Sequence, residues 1–417
     1  MKTRAIAVVL AIAGVSAGLA SCASQASAAA AQPTAAFSLP MPAGSFAIGR
    51  VGYEWTDASR PDTYSADPMA HRALMVYLWY PAAKKIAGQA APYLPGARQM
   101  DANPDVRSRM TEEYGALWPL MVSGEIESHA IANAPASETP KRFPVVLLSH
   151  GTVEYTSLIE ELVSHGYVVA AIEHTYMATD VAFPGGRVVP AHRDPVPEGL
   201  SPGQRWQRMV ESATLGIGRG ADDLRFVLNR LTDLNVSGAL GFPLWRRLDL
   251  SRVAAMGHSA GGAIAARACQ LDARIRACVS LDGELPPVAA FPEYPDGKGF
   301  QQPVLLLEVD QAGKRKPFSE ADYANFLKKE EAQLNLCPKG SYHVLLNSPG
   351  LYHGSFSDYW LRVANGDPVK TGQALHNLRL TQAFTLAFLD KTLKGAKEPL
   401  FEKPPASPEA TVTEYGH

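Results

Sequence analysis

The 417-residue chain carries 39 basic and 41 acidic side chains, a formal net charge of −2 at pH 7, and 46% of its residues are apolar. This balance excludes an intrinsically disordered protein and leaves no excess of positive charge to hold nucleic acid. A chain of this length can bury a large core, as one elaborated α/β domain or as two small ones.

The first residues predict an export signal. Two basic residues precede an apolar stretch, residues 5–19, that is too short for a good transmembrane helix. Leu19-Ala20-Ser21-Cys22 resembles a bacterial lipobox, in which the cysteine becomes the lipidated N-terminus after residues 1–21 are removed. Simple secretion after cleavage at Ala28 is the alternative. We favour lipidation of Cys22, because cysteine is scarce here and one falls at the required place. The alanine after it is typical of lipoproteins sent to the outer membrane.

The rest of the chain divides by composition. Residues 22–44 are rich in alanine, serine and proline, which predicts a lipidated N-terminus followed by a flexible linker. Residues 45–395 predict an α/β domain with irregular insertions at 96–140 and 176–210. Residues 396–417 predict a loose C-terminal tail rich in proline and glutamate.

The α/β domain opens with two β-rich runs, residues 46–55 and 74–80, which predict an antiparallel pair. Residues 143–149, 157–165 and 167–172 then have the patterns of a strand, a helix and a strand. Such a unit requires a right-handed crossover and a parallel sheet. The remaining predicted elements are helices over residues 221–231, 318–329 and 375–393, and strands over residues 277–281, 303–309 and 342–346.

The cysteines do not indicate a metal site. Besides Cys22 the chain has Cys269, Cys278 and Cys337, so not all of them can pair within the mature chain. One disulfide is compatible with an oxidising compartment, but the sequence does not select it. Because the chain contains neither a His-Glu-x-x-His motif nor a Cys/His cluster, we predict no metal and no cofactor.

The chemistry centres on Gly257-His258-Ser259-Ala260-Gly261. A short apolar run precedes this pentapeptide and an alanine-rich run follows it. A Gly-x-Ser-x-Gly turn between a strand and a helix is the nucleophile elbow of an α/β-hydrolase. The turn is so tight that the residues two before and two after the serine must be small, as Gly257 and Gly261 are. The pattern predicts Ser259 as the nucleophile, and an ordinary Gly/Ser turn is the alternative.

In this fold the acid and the base follow the nucleophile, each at the end of a strand. His353 lies in the loop after the last predicted strand of the parallel sheet, between Gly350 and Gly354, and is the predicted base. Asp282 ends the first strand after the elbow and Asp310, with Glu308 nearby, ends the second. The wider fold favours the later strand. The other histidines after the elbow lie inside a strand, inside the long helix and at the end of the chain: His343, His376 and His417.

An oxyanion hole needs two backbone N–H donors, one from the residue after the nucleophile and one from the first βα loop. The sequence therefore predicts the amides of Ala260 and Thr152 as donors.

Two stretches in or near the insertions each allow two interpretations. The apolar residues 114–122 suit the wall of an acyl pocket, although we favour a core helix or loop packed on the sheet. Residues 204–213 suit a helix over the mouth of the site, or plain surface structure.

Several segments resemble one family. They are residues 143–151, 164–174, 257–262, 279–282 and 353–358. Together they are similar to the platelet-activating-factor acetylhydrolases of the plasma and intracellular type II kind, with their bacterial relatives, over residues 45–395. The resemblance implies an α/β-hydrolase fold, a mostly parallel central sheet with helices on both faces. In that family the acid follows the strand next after the elbow, which favours Asp282 over Asp310.

The resemblance also implies an activity. It is hydrolysis of carboxylic esters with short acyl groups through a Ser-His-Asp triad and an acyl-enzyme, with short or oxidised sn-2 acyl phospholipids among the substrates. Ala260 and Gly283-Glu284 depart from the family pattern, which leaves the acyl preference open. A general short-chain carboxylesterase or polyester hydrolase is the alternative, and a non-catalytic surface lipoprotein is a third interpretation. The predicted partners are the ester or phospholipid substrate and, through the lipid anchor, a membrane, with no nucleic acid and no obligate protein partner.

Overall fold

The computed structural model describes residues 39–84, 88–149, 154–177, 179–192, 199–285, 299–310, 328, 330–358, 360–363, 367–402 and 409–416. The predicted lipidation site at Cys22 and the predicted oxyanion donor Thr152 lie outside these residues, as does almost all of the predicted helix 318–329. Among the described helices, none is both long and apolar enough to cross a bilayer.

The strands of the described chain are β1 Ala47–Pro61, β2 His71–Ala82, β3 Ala90–Pro92, β4 Glu127–Ala132, β5 Phe143–Ser149, β6 Val168–Glu173, β7 Val181–Ala182, β8 Val188–Val189, β9 Leu248–His258, β10 Ile275–Leu281, β11 Val304–Val309, β12 Ser341–Leu346 and β13 Ala410–Tyr415. The α-helices are α1 Ala97–Ala102, α2 Pro104–Tyr114, α3 Leu117–Ser123, α4 Thr156–Ser164, α5 Pro202–Ser237, α6 Ala260–Leu271, α7 Trp360–Val363, α8 Pro368–Lys394 and α9 Pro399–Glu402.

An 11-stranded sheet carries the fold, in the order β13-β12-β11-β10-β9-β5-β6-β2-β1-β4-β3. From β6 to β12 every neighbouring pair is parallel. The opening strands β1 and β2 pair antiparallel, as predicted, and β2 joins β6 antiparallel. Strands β5 and β6 are buried along their whole length, which matches their unbroken apolar sequence and shows that both faces of the sheet are covered. The mostly parallel sheet predicted for an α/β-hydrolase is confirmed.

Helices cover both faces of this sheet. On one face, α5 and α6 contribute Leu224 and Ile264 to a core of buried apolar side chains. On the other face, α4 and α8 contribute Leu158 and Phe388 to a second core. Each core joins the sheet to its covering helices through apolar side chains. Because this packing fixes the strands, the edge of the sheet at their carboxyl ends is a rigid support for a site.

The 96–140 insertion forms a separate apolar cluster. For residues 114–122 the sequence favours a core helix or loop packed on the sheet. Their side chains Tyr114, Trp118 and Met121 lie in this separate cluster. These side chains are buried with Trp360 and Leu361 rather than in either core of the sheet. The helix α3 is thus present as favoured, but it packs against other insertion and C-terminal residues because the sheet faces are already covered.

One long helix, α5, contains both the end of the 176–210 insertion and the predicted helix 221–231. Helix α5 begins at Pro202, after a capping box in which Ser201 and Gln204 satisfy each other's backbone groups, and it runs to Ser237. Closely spaced glycines near its middle made the sequence look interrupted. One of them, Gly220, allows close approach to α6, since a Cβ there would lie 2.7 Å from Ile264. Residues 204–213 are therefore part of a long helix.

The C-terminal segment differs from the loose tail that we expected. Residues 410–415 form β13, which pairs antiparallel with β12 at the edge of the sheet. Before it, Phe401 of α9 is buried, with its ring 4.3 Å from that of Tyr342. The alternation Thr411-Val412-Thr413 is a β-strand pattern that the surrounding polar residues obscured. Separately, Cys269 and Cys278 form a disulfide, and Cys337 is free and buried.

Candidate active site

Ser259 stands at the turn between β9 and α6 with φ 56° and ψ −126°. A non-glycine residue adopts positive φ only where the surrounding structure enforces it. The Ser259 amide donates a 2.8 Å hydrogen bond to the carbonyl of Leu281, which fixes the turn against the next strand. A Cβ on Gly257 would lie 2.2 Å from the carbonyl oxygen of Gly261. The strand, tight turn and helix that the motif predicts are all present.

Asp282 follows β10 directly and also has positive φ, 44°. Its carboxyl group is nearly inaccessible, and Oδ1 accepts a 3.1 Å hydrogen bond from the amide of Val309. Its neighbour Gly283 packs against the nucleophile turn, since a Cβ there would lie 2.2 Å from the Ser259 carbonyl oxygen. The loop that carries the predicted acid therefore lies directly beside the predicted nucleophile.

His353 begins a short 3₁₀ turn, His353–Phe356, beyond β12. Its Nδ1 lies 2.5 Å from Oδ2 of Asp282. A carboxylate at Nδ1 holds the proton there, so Nε2 of the neutral ring is the nitrogen available to accept a proton. The structure thus brings together two of the sequence-predicted residues, Asp282 and His353. The carboxyl oxygen of Glu308, near the rival acid Asp310, lies instead 2.8 Å from Nε2 of His343.

His258 is a site residue that the sequence analysis did not identify. Its ring lies 4.5 Å from the ring of His353 and 5.7 Å from that of Phe356, and it is buried. Its Nδ1 is 2.8 Å from the hydroxyl of Tyr155. Burial raises the pKa of the Tyr155 hydroxyl well above its usual value, so this hydroxyl stays protonated and donates to Nδ1. Its position at the end of β9, directly before the nucleophile, could have identified it, because a side chain there must point into the site.

A buried chain of polar groups lies at the ends of β5 and β6. The Ser149 hydroxyl is 3.0 Å from Nε2 of His174, and Nδ1 of His174 is 2.8 Å from Asp223. Arg72 donates two hydrogen bonds to the same carboxylate. Burial alone would raise the pKa of Asp223, but Arg72 and His174 lower it below its usual range. Ser149 is completely buried, so this Ser-His-Asp chain is closed to substrate and instead fixes the end of β5.

The segment that carries His353 is tied to the start of α4. Asp358 accepts hydrogen bonds from the amide of Ser157 at 3.2 Å and from the hydroxyl of Tyr93 at 3.1 Å. Burial raises the pKa of Asp358 to about 7, although these hydrogen bonds oppose the shift. The Asp358 amide in turn donates to the carbonyl of Glu154, whose carboxylate pairs with Arg362. The base segment is therefore anchored at both the backbone and the side chains.

The predicted oxyanion donor Ala260 is the first residue of α6. Amides in the first turn of a helix have no intrahelical acceptor, so this position suits a donor to a developing negative charge.

Among the described residues, two groups of three side chains place potential ligand atoms within 4.8 Å of one another: His258, Asp282 and His353, and Glu308, Glu330 and His343. The first group contains two members of the candidate triad, Asp282 and His353, together with His258. The second lies outside it.

The chain matches a family model described as platelet-activating factor acetylhydrolase, isoform II, over residues 33–182 and 242–399. It is 30% identical over 199 residues to the platelet-activating factor acetylhydrolase of Cavia porcellus, which covers 43% of this chain and 44% of that protein. The enzyme of the same name from Gallus gallus is 25% identical over 268 residues, 57% of each chain. The matched regions thus span about half the length of these curated relatives.

A solved structure is also similar. The ferulic acid esterase from Streptomyces cinnamoneus superposes with a TM-score of 0.65 at 28% sequence identity, over 91% of this chain and 100% of that one. The likeness covers nearly the whole chain, so the two chains share an α/β-hydrolase fold.

Proposed function

Because the chain belongs to the platelet-activating factor acetylhydrolase, isoform II, family, we propose that it hydrolyses carboxylic esters with Ser259 as nucleophile. The observation that carries the proposal is the 2.5 Å contact between His353 and Asp282, beside a serine in the strained elbow conformation. A serine hydroxyl is a poor nucleophile until a base accepts its proton, and the base must be oriented by an acid. His353 is the proposed base, and Asp282 is the proposed acid.

The proposed reaction runs through an acyl-enzyme. Oγ of Ser259 attacks the ester carbonyl carbon as its proton passes to Nε2 of His353, and Asp282 stabilises the imidazolium that forms. The amides of Ala260 and Thr152 are the proposed donors to the oxyanion. His353 then protonates the leaving alkoxide. In the second half, His353 accepts a proton from water, the hydroxide attacks the acyl carbon, and Ser259 is released with its proton restored.

For the substrate, we favour esters with short acyl groups, including phospholipids whose sn-2 chain is short or oxidised. Family membership supports this class. A general carboxylesterase or polyester hydrolase is the second candidate, because a ferulic acid esterase shares the fold across nearly the whole chain. Fold alone does not determine substrate, so the distinction must be made by turnover.

The two candidates are separated by kcat/KM. We would measure p-nitrophenyl esters of increasing chain length, an sn-2 acetyl phospholipid, an sn-2 palmitoyl phospholipid and methyl ferulate with the same preparation. If the favoured substrate class is right, the acetyl phospholipid should exceed the palmitoyl one by at least about 100-fold, a difference of roughly 2.7 kcal/mol. Comparable phospholipid values, or a clear preference for methyl ferulate, would instead support the general esterase.

We also propose that the protein is an exported lipoprotein held at the outer membrane through Cys22. The lipobox-like sequence supports this, and each buried methylene of an acyl chain contributes about 0.8 kcal/mol to membrane binding. Cys22→Ser should move the protein from the membrane fraction to the soluble fraction, whereas Cys337→Ser, at a buried cysteine far along the chain, should not. Equal partitioning of wild type and Cys22→Ser, or a mature chain that begins at Ala29, would contradict the anchor.

A further inference from the structure

Glu308, Glu330 and His343 form a cluster at the sheet edge that the proposed chemistry does not use. Glu308 lies on β11 and His343 on β12, where His343 pairs with Leu306. Alternate residues of a strand project to the same face, so Glu308 and His343 share one face. Glu330 reaches them from the short helix that includes residues 330–334. The three residues therefore connect three elements.

The cluster has the dimensions of a metal site. One potential ligand atom from each side chain lies within 4.8 Å of the other two, and Nε2 of His343 is 2.8 Å from Glu308. A tetrahedral Zn²⁺ holds nitrogen and oxygen ligands at about 2.0–2.1 Å, which sets the ligands roughly 3.4 Å apart. The separations in the cluster, from 2.8 Å to at most 4.8 Å, bracket that distance. Three protein ligands leave the fourth position to water.

A buried oxygen supplies a second observation. Glu330 is only 6% exposed, and its Oε2 has no hydrogen-bond partner among the residues that the structure describes. Within the described ranges, the ion pair to Glu308 comes from His343, and Glu330 has none. A bound cation would use the Glu330 oxygen that is unpartnered among the described residues.

We propose that Glu308, Glu330 and His343 bind a divalent transition-metal ion of the Zn²⁺ type. The imidazole ligand selects such an ion over Mg²⁺ and Ca²⁺, which prefer oxygen ligands alone. The ion would join β11, β12 and the helix of residues 330–334. It would not touch the reacting atoms, so its expected effect is on stability. No spacing rule reveals this set, because its members come from three separate elements.

The test uses the full chain, stripped with a chelator and titrated with Zn²⁺, Co²⁺ or Mg²⁺. We expect one equivalent of Zn²⁺ to bind and raise the unfolding temperature by several degrees, and Co²⁺ to give the intense visible absorption of a four-coordinate site. Mg²⁺ should do neither. Glu330→Gln should weaken Zn²⁺ binding at least 100-fold. It should still fold without metal, because it only replaces a buried carboxyl group with an amide.

Two further variants make the result decisive. His376→Gln removes a surface histidine that is similarly paired with a glutamate, Glu409, and it should bind Zn²⁺ like the wild type. Asp282→Asn disrupts the other potential ligand group, at the triad. This variant should also bind one equivalent of Zn²⁺. Loss of Zn²⁺ from Asp282→Asn with retention in Glu330→Gln would assign the ion to the triad and overturn the proposal. Absence of stoichiometric binding by the wild type would overturn it as well.

Discussion

Asp282 does two things at once in this structure, and both depend on its position directly after β10. One carboxylate oxygen accepts the amide of Val309, and the other contacts Nδ1 of His353. The first contact holds the carboxylate in place on the neighbouring strand. The second can then fix the tautomer of the histidine, which is the proposed task of the acid.

Replacing the acid should therefore abolish turnover without unfolding the protein. Asp282→Asn keeps the shape but removes the charge, and we expect kcat to fall by about 10⁴-fold, close to 5 kcal/mol. The matched control is Asp310→Asn, at the end of the next strand, which should stay within about tenfold of the wild type. Steady-state kinetics and unfolding temperatures would be measured together. The reverse ranking would move the acid to the later strand.

His258 should contribute mainly through the way its ring packs on His353. Its hydrogen bond with Tyr155 can be isolated by a double-mutant cycle with His258→Phe and Tyr155→Phe. A neutral hydrogen bond predicts a coupling of about 1 kcal/mol in the free energy of unfolding. Additive effects of the two single mutations would show that this hydrogen bond contributes nothing.

His258→Phe should also keep KM close to the wild-type value while kcat falls, because only the orientation of the base changes.

At the scale of elements, the base segment depends on its attachment to α4 through Asp358. The raised pKa, about 7, means that the folded protein favours the protonated carboxyl more than the unfolded chain does. As the pH rises from the ordinary pKa of 3.8 to about 7, the Asp358 carboxyl loses its proton in the unfolded chain while it keeps it in the folded protein. Stability from this group is therefore present below about pH 4 and is lost as the pH rises to about 7.

Asp358→Asn should remove that pH dependence. The amide oxygen can still accept from Ser157 and Tyr93, and no charge has to be buried. We expect the variant to unfold a few degrees above the wild type at pH 8 and at nearly the same temperature at pH 4.5. Thermal unfolding across this range checks the prediction. A variant that is less stable than the wild type at pH 8 would show that the ionised carboxylate is the stabilising form.

The C-terminal strand offers a second test at this scale. Deleting residues 409–417 removes β13 and uncovers the edge of β12. Cross-strand pairs contribute roughly 0.2–1 kcal/mol each, so we expect a loss on the order of 2–4 kcal/mol and an unfolding temperature lower by several degrees. Deleting residues 416–417 alone is the control. An unchanged unfolding temperature in the longer deletion would mean that β13 does not stabilise the sheet.

Across the whole molecule, the sequence was most informative where function imposes a local pattern. The elbow around Ser259 is recognised from a pentapeptide, and His353 follows because it succeeds a strand in a fixed order. The preference for Asp282 over Asp310, by contrast, came from the resemblance to the family. The parallel strands were legible as unbroken apolar runs. These features depend on neighbours in the chain, which is why the amino-acid sequence alone predicts them.

Other features depend on neighbours in space. The contact between Tyr155 and His258 and the Glu308, Glu330 and His343 cluster require the register of distant segments. Helix α5 was underestimated because its glycines weaken helix propensity, although one of them permits close packing on α6. Strand β13 was missed because its polar surroundings suggested a tail. In each case tertiary packing overrides the local signal.

Covalent labelling tests most directly whether Ser259 is an activated nucleophile. Purified protein would be treated with a fluorophosphonate, and the adduct located by peptide mass spectrometry. We predict one adduct, on the peptide that contains Ser259, absent from Ser259→Ala and formed far more slowly by Asp282→Asn. Ser259→Ala should also lose ester turnover by several orders of magnitude. An unlabelled wild type, an adduct on another serine, or a Ser259→Ala variant with near-normal turnover would contradict the role of Ser259.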